Sequence, residues 1–247
     1  MKQVGRTSIS LDPGQGLSGP SPYFPAYRAP LKERPVPDLI DLTTIASCPV
    51  THQPFDFFTV DNVLLPGTLE ALRKDFPLIN KPGIYPIENV QGGPAFAALV
   101  ENIRKPEFSR LIGEKFGLDL QGLPMMVTVR GMAQQKDGRI HCDSKDKVVT
   151  GLLYLNDKWD AAGGRLRMLH NESDIEHYAA EIPAHGGSFA AFRVTPHSWH
   201  GHKPYVGERR YLMFNWIRSD DARRRHESRH RLSARIKKLI PFFYKGR

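Results

Sequence analysis

The sequence predicts a mainly β domain, a sandwich or barrel with helices packed outside one sheet, and three observations carry that expectation. From about residue 124 onward, short apolar runs recur between Gly, Pro, Asn and Asp: PMMVTVRGM, KVVTGLLYLN, GRLRML, GSFAAFR, PHSWHGHKPY and RRYLMFNWI. Strands at this spacing close as a sandwich or barrel. Upstream, the apolar period lengthens to that of helices. The chain of 247 residues is 40% hydrophobic with 13 Phe and 3 Trp, ample for one large β-rich domain or two small ones.

Taken in order, residues 1–37 hold Pro13, Pro20, Pro22, Pro25, Pro30, Pro35 and Pro37 and show no apolar periodicity, so they read as an extension without a fold of its own. Residues 38–123 read as a mainly helical support of the same domain. FDFFTVDNVL (55–64) is a strand leading into LPGTLEALRKDFP, where Pro66 suits the first helical turn and Leu69, Leu72 and Phe76 share a face. PAFAALVENI and PEFSRLIGEKFG are two further helices, the second closed by Gly117 as a C-cap. Residues 124–218 carry the strands. Residues 219–247 form a basic tail in which Leu232, Ile236, Leu239, Ile240 and Phe243 fall on one helical stripe.

The net charge of +9 suggests nucleic acid only until it is located. Residues 218–247 hold eleven Lys/Arg against three Asp/Glu, so the body is close to neutral and offers no extended basic groove. Nucleic acid is therefore not the expected partner, whereas the tail suits packing, a protein partner or an anionic membrane surface. No run of about 18 apolar residues and no signal-peptide pattern occurs, which makes the cytoplasm the expected compartment, with membrane-peripheral binding through the tail as a variant. Cys48 and Cys142 are too few for a disulfide framework or a thiolate zinc site.

The chemistry centres on His141-Cys142-Asp143. With ten His and the Asp content of this chain, chance supplies roughly 0.6 such His-x-Asp pairs, so the motif is weak alone. On a strand, His141 and Asp143 share a face while Cys142 points away. A third ligand is available in TPHSWHGHKPY, from His197, His200 or His202. Alternation places His200 and His202 on one face and His197 on the other. Two histidines and a carboxylate leaving open positions is the arrangement of non-heme iron(II) oxygenases. If the open positions take 2-oxoglutarate, its distal carboxylate needs a fixed arginine. Arg210, ten residues after His200, is the expected one, and since strand neighbours face opposite ways, either it or Arg209 points inward.

The series His141-x-Asp143, LLYLN ending at Asn156, Trp159, Gly163-Gly164 before RLRML, Gly187, Phe189, His200 with Pro204, Arg210 and Trp216 resembles the prolyl-4-hydroxylase-like branch of the iron(II)/2-oxoglutarate-dependent dioxygenases. The resemblance is close over about 124–218, and FDFFTVDNVLLPGTLEALRKDFP resembles the strand and helix that often precede that core. It implies a double-stranded β-helix, a jelly roll of cupin-like kind. It implies His141, Asp143 and His200 as iron ligands, Arg210 on the distal carboxylate of 2-oxoglutarate and the Tyr154 hydroxyl on the same cosubstrate. The Cys142 thiol, between two of these ligands, is open to oxidation if iron and oxygen cycle without substrate, which makes ascorbate a sensible accessory reductant. Family members often carry a Tyr on the strand before the His-x-Asp; here Arg130 stands nearby. Arg130, Trp216 and His202 are the candidate substrate-side or supporting residues, with a plain core aromatic as the other reading of Trp216 and of Tyr154.

The resulting expectation is a dioxygenase that couples conversion of 2-oxoglutarate to succinate and carbon dioxide with hydroxylation of a small-molecule or peptidyl substrate, a peptidyl or free amino acid being favoured. Hydroxylation of a cell-surface glycan or lipid precursor is the alternative. From other classes, a catalytically silent jelly roll binding through its tail and a zinc hydrolase stay open, the latter leaving Arg210 and Tyr154 without a cosubstrate.

Overall fold

Two antiparallel sheets face each other, and four helices cover the outer face of the larger one. The structure, a computed structural model, describes residues 36–221 and 224. The extension 1–35 and nearly all of the tail 219–247 lie outside the described residues, and with them the expected amphipathic stripe.

The helices form where local chemistry closes their ends. Asp41 caps α1 (Leu42–Ser47), its carboxylate accepting from the backbone N–H of Thr43 and Thr44. Following β1 (Phe57–Val60), helix α2 spans Thr68–Lys74, so Pro66 lies just ahead of it rather than in its first turn. Helices α3 (Pro94–Arg104) and α4 (Pro106–Phe116) each begin with proline, whose fixed φ suits the first helical position, and Lys105 joins them. Gly117 ends α4 in the left-handed region, φ 62°, as a C-cap glycine should. No described helix is long and apolar enough to cross a membrane.

The larger sheet combines β1 with β2 (Tyr85–Pro86), β3 (Met125–Ala133), β4 (Lys147–Tyr154), β7 (Phe189–Arg193) and β9 (Gly207–Ile217) in the order β1-β7-β4-β9-β3-β2. The smaller consists of β5 (Leu166–Leu169), β6 (Tyr178–Ile182) and β8 (His200–Gly201) in the order β6-β5-β8. This is the double-stranded β-helix expected from the sequence, mainly β with flanking helices. β2 and β6 have no counterpart among the anticipated runs: one is two residues long, and YAAEI carries too few large apolar residues to register as a strand.

Alternation along the strands divides the apolar residues between two cores. On the helix side, Val127 and Val129 of β3, Leu153 of β4 and Leu212, Phe214 and Trp216 of β9 meet Leu99, Ile103, Phe108 and Ile112. Between the sheets, Leu152 and Tyr154 of β4, Phe192 of β7 and Tyr211 of β9 meet Leu166, Met168 and Ile182. The polar end of this second core is where the site forms.

Trp216 belongs to the first core, so of its two readings, core aromatic and substrate-side residue, the structure supports the first. It stacks on Phe108 with centroids 6.2 Å apart and its Nε1–H donates to Ser109 Oγ at 3.0 Å. Its parity on β9 turns it toward the helices. Trp216→Phe keeps most of the packing but leaves Ser109 without its donor, and should lower stability by about 1 kcal/mol in urea denaturation while iron binding stays unchanged. Trp216→Ala should cost about 3–5 kcal/mol.

Candidate active site

His141 and His200 are held together by backbone, not by the side chains that later matter. His141 N–H donates to the His200 carbonyl and His200 N–H to the His141 carbonyl, each at 3.0 Å, in an isolated antiparallel bridge. The imidazole centroids lie 4.3 Å apart. His141, Asp143 and His200 can each turn one ligand atom to within 4.8 Å of the others, and among the described residues they are the group able to hold a metal ion. Here His200, rather than His197 or His202, completes the set.

Second contacts fix which atoms face the centre. His141 Nδ1 lies 2.8 Å from the Arg139 carbonyl and His200 Nδ1 lies 2.9 Å from the Ser198 carbonyl. A carbonyl can only accept, so each Nδ1 carries the proton and each Nε2 is left with a free lone pair, the tautomer a metal requires. Burial pushes the His200 imidazole down to about 4, against the pull of Asp143, so it is neutral near pH 7.

Asp143 is nearly enclosed, and burial alone would raise its carboxyl. Lys147 and His200 beside it, with hydrogen bonds from Lys147 and Thr150, outweigh burial and hold it well below the usual carboxylate range. Lys147 Nζ lies 2.8 Å from Oδ1, Thr150 Oγ1 donates to Oδ2 at 2.6 Å, and Asn215 Nδ2 donates to Thr150 Oγ1 at 2.7 Å. A register shift between Lys147 and Val149 in the pairing of β4 with β9 breaks the alternation, which is how Lys147 reaches the same cavity as Thr150 and Leu152. The anion is therefore fixed and oriented without any metal.

The triad opens on a cavity of about 370 Å³ lined also by Arg130, Asp137, Lys147, His202, Arg209 and Tyr211. Arg210 is not among these residues. Its guanidinium pairs with Glu208 at 2.7 Å, reaches the Arg73 carbonyl and lies over the Phe76 ring on the helix side. This corrects the inward placement of Arg210. Arg209 points in, 2% exposed, its Nε donating to the Gly164 carbonyl at 2.7 Å and its Nη2 to the Tyr154 hydroxyl at 2.9 Å. The sequence held the signal: 210, 212, 214 and 216 read Arg, Leu, Phe, Trp, the apolar helix-facing set, while 209, 211, 213 and 215 read Arg, Tyr, Met, Asn.

Tyr154 is fully buried and does not line the cavity; its hydroxyl accepts from Arg209 and thereby holds that guanidinium. The glycine pair before β5 has a steric reason: a Cβ on Gly163 would meet the Pro204 carbonyl at 2.2 Å, and one on Gly164, at φ +81°, would meet the Trp159 ring at 2.6 Å. Only glycines let this backbone approach Arg209. His202 is buried beside the cavity with Nδ1 on the Lys203 carbonyl at 2.8 Å, and burial, with Arg209 and Arg130 adding to it, pushes it down to about 4. Cys142 Sγ donates to the Pro196 carbonyl, and burial pushes its thiol up to about 11, so it is protonated near neutral pH. Lys147, Thr150, Asn215 and Asp137 escaped the sequence reading, since nothing in KVVTGLLYLN marks its first residue as inward.

Residues 127–218 match the 2OG-Fe(II) oxygenase superfamily. Among solved structures, the chain is similar to a Pseudomonas putida prolyl-4-hydroxylase, with 18% identity, coverage of 72% of this chain and 93% of that one, and a TM-score of 0.47. It is also similar to HygX from Streptomyces hygroscopicus with nickel and 2-oxoglutarate bound, at 13% identity, 65% and 81% coverage and a TM-score of 0.45. A third is the viral collagen prolyl hydroxylase of Paramecium Bursaria Chlorella virus-1 in its 2OG complex, at 14% identity, 66% and 95% coverage and a TM-score of 0.42. Scores this low carry no substrate to this chain. No curated protein sequence matches it.

Fold, ligand set and family match point to one class: residues 127–218 match the model of the 2OG-Fe(II) oxygenase superfamily, and His141, Asp143 and His200 form a group that could hold a metal ion. The residues fit a divalent ion, since both His Nε2 lone pairs and one ionised carboxylate converge. Lys147→Met and Thr150→Val should each weaken iron(II) binding about 10–100-fold, measured by competition with a chromophoric chelator, because outer contacts orient the ligating carboxylate. Unchanged affinity in both would show that the carboxylate needs no such support.

Proposed function

We propose that the protein is an iron(II)- and 2-oxoglutarate-dependent hydroxylase whose substrate is a peptidyl or free amino acid. One observation carries the reading: a triad of two Nε2 lone pairs and an ionised carboxylate opens on the same cavity as a buried arginine, Arg209. In this proposal His141, Asp143 and His200 hold the iron, and Arg209, in place of Arg210, binds the distal carboxylate of 2-oxoglutarate through its planar fork. The iron and cosubstrate, once bound, supply the oxidising chemistry that converts 2-oxoglutarate to succinate and carbon dioxide and hydroxylates a C–H bond.

The chain's own residues bind and orient. Tyr154 and the Gly164 carbonyl fix Arg209 from behind, so it meets an incoming carboxylate without reorganising. Lys147 and Thr150 keep Asp143 ionised and aimed, and Leu152, Leu166 and Met213 line the apolar part of the cavity, which limits water there.

Two measurements test this. Anaerobic addition of iron(II) and 2-oxoglutarate should give the weak visible band of the chelate in the wild type and none in His141→Ala. Arg209→Gln should need at least about tenfold more 2-oxoglutarate, the loss of a charge-assisted pair, and Arg210→Gln no more than the wild type. In air with ascorbate present, succinate should form, and faster with peptides or free amino acids that serve as substrate. Iron binding without any chelate band would end the 2-oxoglutarate reading in favour of a zinc-type hydrolase or a binding module.

A further inference from the structure

Arg130 is a buried cation with more donors than partners. It is 8% exposed, lines the cavity from β3, and its Nε has no hydrogen-bond partner. Its partners are Asp137, on the turn ahead of His141, which takes Nη1, and the Tyr211 hydroxyl on β9. A buried guanidinium N–H left unbonded is costly, and a guanidinium so incompletely paired at a cavity wall keeps donors for an acceptor that arrives from outside.

Position separates this donor from the cosubstrate. Tyr211 on β9 pairs in register with Tyr154 on one side and with Arg130 on the other. Arg209, on β9 itself, is drawn toward β4 by its bond to the Tyr154 hydroxyl, while Arg130 sits on β3 at the other edge of β9, so the two guanidinium groups lie on opposite sides of Tyr211. Charge points the same way. The cavity lining carries Arg130, Lys147 and Arg209 against Asp137 and Asp143, an excess of one positive charge. A divalent ion and the 2-oxoglutarate dianion cancel each other, so the excess remains once both are bound. Low-dielectric surroundings make an uncompensated charge expensive and favour a substrate that brings one negative charge.

We propose that the primary substrate carries a carboxylate and that the Arg130 guanidinium receives it, the carboxylate taking its place beside Asp137. The inference rests on the oxygenase reading, because it concerns what the cavity accepts after 2-oxoglutarate has taken Arg209. It narrows the substrate to a free amino acid or another small acid, or to a peptide that presents a carboxylate to the site.

The test uses the whole protein loaded with manganese(II) and saturating 2-oxoglutarate, with acetate as probe. Paramagnetic broadening of the acetate methyl signal should saturate in the wild type, and acetamide should give none. Arg130→Gln should weaken the acetate effect about tenfold while 2-oxoglutarate still binds, the loss of one charge-assisted contact. Asp137→Asn, which removes the competing carboxylate, should shift it the other way and tighten acetate. Arg130→Lys, which keeps a charge, should retain part of it.

Acetate broadening that is absent from the wild type, or equal in Arg130→Gln, would overturn the proposal. So would loss of 2-oxoglutarate binding in a folded Arg130→Gln, which would make Arg130 the cosubstrate's cation. Failure of the wild type to bind 2-oxoglutarate at all is a different result, and it removes the oxygenase reading and this one together. N-acetylglycine and acetyl-aspartyl amide, offering the carboxylate as a terminus and as a side chain, then tell the two sources apart by which one broadens in an Arg130-dependent way.

Discussion

The site depends on two backbone hydrogen bonds, those exchanged between His141 and His200. They join a segment that belongs to neither sheet to the short strand β8 of the smaller sheet, and so bring together ligands that lie far apart in the chain. Because the pairing is made by N–H and C=O groups, it does not depend on imidazole chemistry and is complete before any ion arrives. The main chain also supplies the carbonyls of Arg139 and Ser198, which set both tautomers. Little reorganisation is left for the metal to drive.

The ordering of side chains around this bridge follows from the period-two rule on β4 and β9, and one interruption of it. Thr150 and Leu152 face the cavity because they share a parity; Lys147 joins them because the ladder slips one residue before Val149. Without that slip the lysine would face the helix-side core, a poor place for an ammonium. Beside Asp143 it has a counter-ion at 2.8 Å, and the carboxylate gains an anchor. Pair and bulge support one another.

Much of this was legible in the sequence. Strand-sized runs after residue 124, proline-started helices and a glycine cap are local signals, and each is written in consecutive residues. The His-x-Asp pair and His200 were legible through their order and spacing relative to neighbouring elements. Arg209 was harder to see, because spacing alone does not resolve adjacent residues; the parity of Leu212, Phe214 and Trp216 does, once Trp216 is recognised as a core residue. Lys147, Asn215 and Asp137 were not legible at all. Their roles arise from a register slip, a cross-strand hydrogen bond and a turn, none of which has a signature in residue type.

Polar groups in the cavity fall into two kinds, and the difference bears on what a structure of this type can reveal. Asp143, Thr150 and Arg209 already have partners within the protein, so their arrangement speaks to what the fold has fixed: an oriented carboxylate in a group that could hold a metal ion, and a buried arginine held from behind. Arg130 Nε and Asn215 Oδ1 are buried without partners. Asn215 tolerates this more easily, since a neutral carbonyl loses less on desolvation than an unbonded donor on a charged group. The orphaned guanidinium N–H is therefore the more informative of the two. Among the described residues the other buried arginines are held, Arg167 by Glu181, Glu176 and the Ile175 carbonyl and Arg209 by the Gly164 carbonyl and the Tyr154 hydroxyl, so incomplete pairing is a local choice and not a general looseness of packing.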